Sequence, residues 1–203
     1  FTSGQDIHSA TAAQGFHVTP EDVTHEMRRR AKAVNFGIVY GISAFSLSQD
    51  IGVSVAEAKA YMDAYFATFP GVRRYMDAVV EQARETGYVE TLFHRRRDLP
   101  ELSSSNRNLR AFGERVALNM PIQGTAADIM KLAMIAVWKG LRETIPEARL
   151  VLQVHDELIV ECPEEKAAAV AQLLTEKMEH VVSLAVPLTA DAHWGKNWLE
   201  AKG

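Results

Sequence analysis

The chain has 203 residues, is 47% hydrophobic and 24% charged, and carries a formal charge of −4, a composition that supports a buried core and excludes collagen-like, low-complexity and disordered chains. No apolar run approaches the ~20 residues of a membrane-spanning helix, and the first residues lack the charged and apolar regions of a signal sequence, so a soluble chain with no membrane partner is expected. One cysteine, Cys162, excludes an intrachain disulfide and a thiolate-rich zinc site and fits a reducing compartment.

Asp6 to Phe16 reads as a short helix, followed by a turn at Pro20. Thr24 is a good N-cap for a long helix that runs to about Gly41. Ser54 and Glu57 have capping-box spacing ahead of the apolar run Ala58, Tyr61, Met62, Tyr65 and Phe66, and that helix should stop before Pro70. A helix from about Val72 to Thr86 comes next, then strand-like alternation from Tyr88 to Phe93 ahead of three arginines. Ser103 to Asn119 has helical periodicity up to Pro121, and a longer apolar helix runs from about Thr125 to Leu141. From Arg149 to Cys162 the period changes, and two apolar runs flank His155, Asp156 and Glu157 as in a hairpin. Glu164 to Leu184 returns to helical period, and Val186 to Ala190 reads as a last short strand before a turn at Trp194 and Gly195. An α+β chain is expected, mostly helical first and with a small antiparallel sheet in its second half.

The acidic total hides two basic knots, Arg28, Arg29, Arg30 and Lys32, and then Arg95, Arg96, Arg97, Arg107, Arg110 and Arg115, where a polyanion could bind locally. Within the first, Arg28, Lys32, Phe36 and Tyr40 recur every fourth residue, so each lies about 6 Å further along one slowly turning helix face. Two cations followed by two rings suit a nucleoside triphosphate: the cations take phosphate oxygens and the rings meet sugar and base. Gly37 and Gly41 beside the rings suggest that something approaches the backbone closely. The same spacing also describes a surface helix whose rings face the core and whose cations are solvated. His155-Asp156 is a poor two-residue turn by propensity. Adjacent carboxylates Asp156 and Glu157 at a hairpin tip suit Mg²⁺, which takes one or two protein carboxylates and keeps its waters; an ordinary solvated acidic turn is the alternative. Arg115, Asn119 and Gln123, again in steps of four, offer donors that could reach minor-groove acceptors, or they form a buried hydrogen-bond network.

Taken together these segments resemble the family A DNA polymerases, the bacterial DNA polymerase I type. RRRAKAVNFGIVYG matches that family's fingers pattern R-x-x-x-K-x-x-x-[FY]-G-x-x-Y-G, LQVHDELIVE carries its VHDE palm hairpin, and ALNMPIQGTAADIMKLAM is the palm segment between them. The opening GQDIHSATAAQGF, the YVETLFHRRRDLPEL stretch and the VPL-to-GKNW tail extend the similarity over essentially the whole chain. The implied fold is an incomplete polymerase right hand, with fingers at 1–105 and the C-terminal part of the palm at 106–203. The implied activity is DNA-directed DNA synthesis with Mg²⁺, deoxynucleoside triphosphates and primer-template DNA, in the bacterial cytoplasm at the nucleoid.

By the same resemblance, His8, Arg28 and Lys32 are triphosphate contacts, and Lys32 is also placed to give a proton to the leaving pyrophosphate. Phe36 packs on the incoming sugar, where Phe rather than Tyr implies poor acceptance of dideoxynucleotides, and Tyr40 stacks on the template. Arg115, Asn119, Gln123 and His155 are minor-groove and primer-terminus contacts. Asp156 is one of two metal-binding aspartates, with Glu157 beside it. His94 and Asp98 depart from the Gly and the aromatic or apolar residue that many relatives carry.

The family's other catalytic aspartate lies in a D-Y-S-x-x-E motif, which does not occur in this sequence. The chain is therefore expected to begin just after it, with the remainder of the polymerase in preceding sequence or in a second chain. Asp191 is the only other carboxylate that pattern nominates, and the resemblance gives it no role. The alternative function is a noncatalytic nucleic-acid or nucleotide-binding module. A helix-turn-helix regulator built on 54–86 fits less well, since that region lacks a cationic recognition helix.

Overall fold

The computed structural model describes residues 6–16 and 18–202, so Gly4 and Gln5 of the opening GQDIHSATAAQGF segment lie outside it. The chain falls into two compact units, one up to Gly124 and one from Thr125 onward. The first unit extends past residue 105 because the helix that follows packs back on the elements before it.

In the first unit, α1 (Ile7–Phe16) packs along α2 (His25–Val39). Thr24 caps α2 as expected, its hydroxyl accepting from the Met27 N–H at 3.2 Å. The helix ends in a Schellman motif: Gly41 adopts φ 73°, the Ile42 N–H bonds the Gly37 carbonyl at 2.8 Å, and the Gly41 N–H bonds that of Ile38 at 2.9 Å. A short helix that the sequence reading passed over, α3 (Ala44–Ile51), follows at once, capped by Ser43 and stopped by left-handed Gly52. Then α4 (Val55–Thr68) starts with the expected capping box between Ser54 and Glu57 and stops ahead of Pro70, the first residue of α5 (Pro70–Thr86). Val34, Ile38, Leu47, Ile51, Ala58 and Tyr65 form the core under α2, α3 and α4.

The strand expected over Tyr88 to Phe93 is only three residues long, β1 (Tyr88–Glu90). The Thr91 hydroxyl accepts from the N–H groups of Phe93 and Arg95, folding the chain into a tight loop in which His94 has φ 61°. The triple arginine supplies the partner strand, β2 (Arg96–Asp98), with Val89 opposite Arg97. The helix expected from Ser103 begins later, as α6 (Arg107–Asn119) capped by Asn106, because Pro100–Ser103 forms a 3₁₀ turn. Pro121 sits in a π turn (Met120–Gly124), which accommodates its missing N–H. Ala83, Val89, Leu99, Leu102, Ala117 and Met120 join these elements in a second core.

The second unit consists of α7 (Thr125–Thr144), the expected hairpin β3 (Arg149–Val154) and β4 (Glu157–Glu161), α8 (Ala167–Glu179) and a terminal turn of helix, α9 (Trp198–Ala201). Leu150, Leu158 and Val160 bring one hairpin face onto Val137, Leu141, Val170 and Leu173. A register shift between Leu150 and Leu152 leaves Val151 without a cross-strand partner. Two expectations fail here. The helix expected to reach Leu184 ends at Glu179, before the weakly helix-forming Val181, Val182 and Ser183. No strand forms over Val186 to Ala190, where Pro187 offers no N–H to a ladder. That segment is tethered to α8 instead, through the Ala190 N–H on Glu179 Oε1 at 3.0 Å and the Thr175 hydroxyl on the Ala190 carbonyl at 3.4 Å. The class is α+β and mostly helical, with two small antiparallel sheets among the described residues. No helix among the described residues is long and apolar enough to cross a membrane.

Candidate functional site

The ladder runs along α2 to its C-cap Tyr40, and its last three rungs touch in sequence. Lys32 Nζ lies 5.8 Å from the Phe36 ring centre, and the Phe36 and Tyr40 rings stack with centres 6.1 Å apart and planes 26° off parallel. Phe36 is 46% exposed, so its ring does not serve the core. His8 of α1 joins the ladder from the side, its ring 5.7 Å from that of Phe36. Neighbouring charges are sorted: Glu26 takes Arg29 and Arg30, at 2.7 and 3.0 Å, and these hydrogen bonds pull its carboxyl down to about 2.

Arg28 is held from below. Its Nε donates to Asp6 Oδ2 at 2.7 Å, while Asp6 Oδ1 accepts from the His8 N–H at 3.0 Å at the start of α1. The Arg28 hydrogen bond, with that of Ser9, keeps the Asp6 carboxyl far below the usual carboxylate range. Asp6 takes the Nε of the guanidinium, and the terminal nitrogens have no hydrogen-bond partner among the described residues and can meet an anion. Burial lowers the His8 pKa from 6.5, Arg28 and Lys32 push the same way, and Asp6 opposes them.

Two residues of this constellation escaped the sequence reading, Asp6 and Asn35. Asn35 is 6% exposed, with Nδ2 lying 3.0 Å from His8 Nδ1 and 3.1 Å from Thr11 Oγ1. The available signal was an asparagine on the buried stripe of Ala31, Val34 and Ile38. The close approach expected at the two glycines is present, and it is made by neighbouring side chains. A Cβ on Gly37 would meet Ile42 Cγ2 at 3.0 Å, and one on Gly41 would meet Leu118 Cδ1 at 3.0 Å and Arg115 Cγ at 3.5 Å. The backbone is approached by the chain's own residues, closing the end of α2 and seating it against α6.

That contact also sets Arg115 beside the Tyr40 end of the ladder. Arg115 and Gln123 are exposed, and Asn119 is half-buried with its Oδ1 unpartnered among the described residues, so the three do not form a buried hydrogen-bond network. An apolar cavity of about 330 Å³ lies among α1, α2 and α4, lined by Ala31, Val34, Tyr61 and Phe69 and by none of the ladder side chains.

In the second unit, His155 and Asp156 form the two-residue turn of the hairpin. His155 takes φ 51°, an unfavourable conformation for a residue with a Cβ, and Gln153 Nε2 braces the turn by donating to its carbonyl at 2.6 Å. The Asp156 side chain is exposed. Glu157 is half-buried, with Oε1 3.5 Å from Lys202 Nζ and Oε2 buried without a partner among the described residues. An open aspartate next to a carboxylate oxygen that lacks a donor suits one end of a divalent-cation site. The described residues contain no group of three or more His, Cys, Asp or Glu side chains placed to hold a metal. Asp191, exposed in the segment after α8, is not part of such a group.

A family profile described as DNA polymerase family A matches residues 1–200. The chain belongs to DNA polymerase family A. Among family members, DNA polymerase I of Geobacillus stearothermophilus is 54% identical over 202 residues and that of Bacillus subtilis 53% identical over 202. Each alignment covers 100% of this chain and 23% of the relative, so the chain spans about a quarter of the length of these polymerases. Among solved structures, the POL domain of Pol1 from M. smegmatis, in complex with DNA primer-template and dNTP, matches with a TM-score of 0.94 and 46% identity. That match covers 100% of this chain and 36% of the other.

Proposed function

We propose that the chain is the fingers, at 1–105, and the C-terminal part of the palm, at 106–203, of an enzyme that extends a primer on a DNA template. In that enzyme the primer 3′-hydroxyl attacks the α-phosphate of a deoxynucleoside triphosphate and pyrophosphate leaves. The observation that carries this reading is the joined face of His8, Arg28, Lys32, Phe36 and Tyr40 in a chain of this family. Arg28 meets phosphate oxygens with its free guanidinium edge, and Lys32, whose ammonium is in no ion pair among the described residues, binds them and donates a proton to the departing pyrophosphate. Phe36 packs on the sugar and Tyr40 on the template base, with Arg115, Asn119 and Gln123 contacting the minor groove and His155 the primer terminus. A divalent cation, Mg²⁺ in this reading, would be held at Asp156 with Glu157 beside it and would neutralise charge on the phosphates. The remainder of the polymerase is the partner expected to bring the second aspartate and to cover Val151 and Leu152, which are 52% and 47% exposed.

Replacing Lys32 by Ala in the complete enzyme tests the central assignment. Single-nucleotide incorporation should fall by about two orders of magnitude or more while primer-template affinity stays within about twofold. An equal loss in both measurements would count against a role at the triphosphate. The second reading, a noncatalytic binding module, is favoured by one observation: the described residues supply carboxylates for only one end of a metal site.

A further inference from the structure

Asn35 sits where an aliphatic side chain would serve stability better. It is 6% exposed on a stripe shared with Ala31, Val34 and Ile38, and its Oδ1 has no partner among the described residues, an arrangement that costs free energy unless the amide does something else. What it does is touch His8: Nδ2 lies 3.0 Å from His8 Nδ1 and 3.1 Å from Thr11 Oγ1. An amide nitrogen only donates, so Nδ1 of the imidazole must accept. The single proton of the neutral ring then resides on Nε2. Burial favours that neutral ring, as do Arg28 and Lys32 across from it on α2, with Asp6 at the start of α1 opposing. The 3₁₀ turn at Pro20–Asp22 and α4 also pack on α1, but Asp22 accepts from Thr19, Lys59 pairs with Asp63, and Glu57 is taken up by Ser54.

Phosphate oxygens accept hydrogen bonds and do not donate them. A neutral imidazole in the opposite tautomer would turn the lone pair of Nε2 toward an anion. We propose that Asn35 is a positioning residue for the incoming triphosphate, holding His8 in its Nε2–H tautomer so that the ring meets phosphate as a hydrogen-bond donor. This inference rests on the reading of His8 as a triphosphate contact.

The test is a double-mutant cycle in the complete polymerase, read as nucleotide KM in single-nucleotide incorporation, with primer-template affinity as the control for folding. His8→Ala should raise KM by about tenfold, the value of one good hydrogen bond to a charged group. Asn35→Leu should do nearly the same, and the double variant should be no worse than His8→Ala alone. Asn35→Asp, which preserves shape, places an acceptor where the donor was. It forces the proton onto Nδ1, so KM should be high at alkaline pH and recover as pH falls and the imidazolium gains a second N–H. Additive losses in the cycle, or a pH profile for Asn35→Asp parallel to wild type, would overturn the role of Asn35 and leave that of His8 intact. No effect of His8→Ala would overturn the triphosphate assignment itself, and the inference with it.

Discussion

The Asp6 carboxylate caps α1 through one oxygen and holds the Arg28 guanidinium through the other. The consequence can be read in acid. Arg28 keeps Asp6 well below its ordinary 3.8, and burial keeps His8 below its ordinary 6.5. Both shifts are downward, so the unfolded chain binds each proton more readily, and stability is lost as pH falls. His8 acts in the window below 6.5 and Asp6 in the window below 3.8. Asp6→Asn retains a capping side chain and removes the charge. At neutral pH it should cost less than about 1 kcal/mol, since the pair with Arg28 is exposed. The thermal midpoint of the variant should then fall less steeply than wild type below pH 3.8, and an unchanged acid limb would show that the pair contributes nothing. Arg28, Lys32, Phe36 and Tyr40 were legible in the sequence because helical spacing alone puts them on one face. Asp6 and Asn35 were not, because their partners lie 22 and 27 residues away and are met only when α1 packs on α2.

Element boundaries were legible where a local hydrogen bond fixes them. Thr24 and the Ser54–Glu57 box announce their helices through side chains that satisfy N–H groups of the first turn. The short α3 was missed because only Leu47, Ser48 and Ile51 of its eight residues are buried, too few to show a period. Val186 to Ala190 failed the other way: the right residue types do not make a strand without a neighbour to complete its hydrogen bonds. The hairpin tip combines both lessons, since apolar alternation predicted the strands while propensity argued against the turn. The structure forms the turn and leaves His155 at φ 51°, a conformation that costs a residue with a Cβ about 1 kcal/mol. His155→Gly should relieve that cost and raise the melting midpoint, while primer-template binding by the complete enzyme weakens through loss of the imidazole. A lower midpoint would mean that the strain is absent, and unchanged DNA affinity would remove His155 from the primer terminus.

At the scale of the whole molecule, family membership was readable because three motifs stand in order along one chain. A complete catalytic centre is not a local property. Two-metal phosphoryl transfer draws carboxylates from separate strands to ions ~4 Å apart. In the proposed reading Asp156 offers one such carboxylate at the hairpin tip, and Glu157, the first residue of β4, is close to Lys202. No D-Y-S-x-x-E segment occurs in the sequence to supply the other. Asp156→Ala in the complete enzyme should therefore abolish nucleotide addition and spare DNA binding, because the loss falls on the metal and not on the cationic ladder. The isolated chain makes the complementary case: given Mg²⁺, primer-template and nucleotides, it should bind DNA without extending the primer. Primer extension by the chain alone would mean that its own carboxylates complete the site. Near-normal turnover by the Asp156→Ala enzyme would take the metal away from the hairpin altogether.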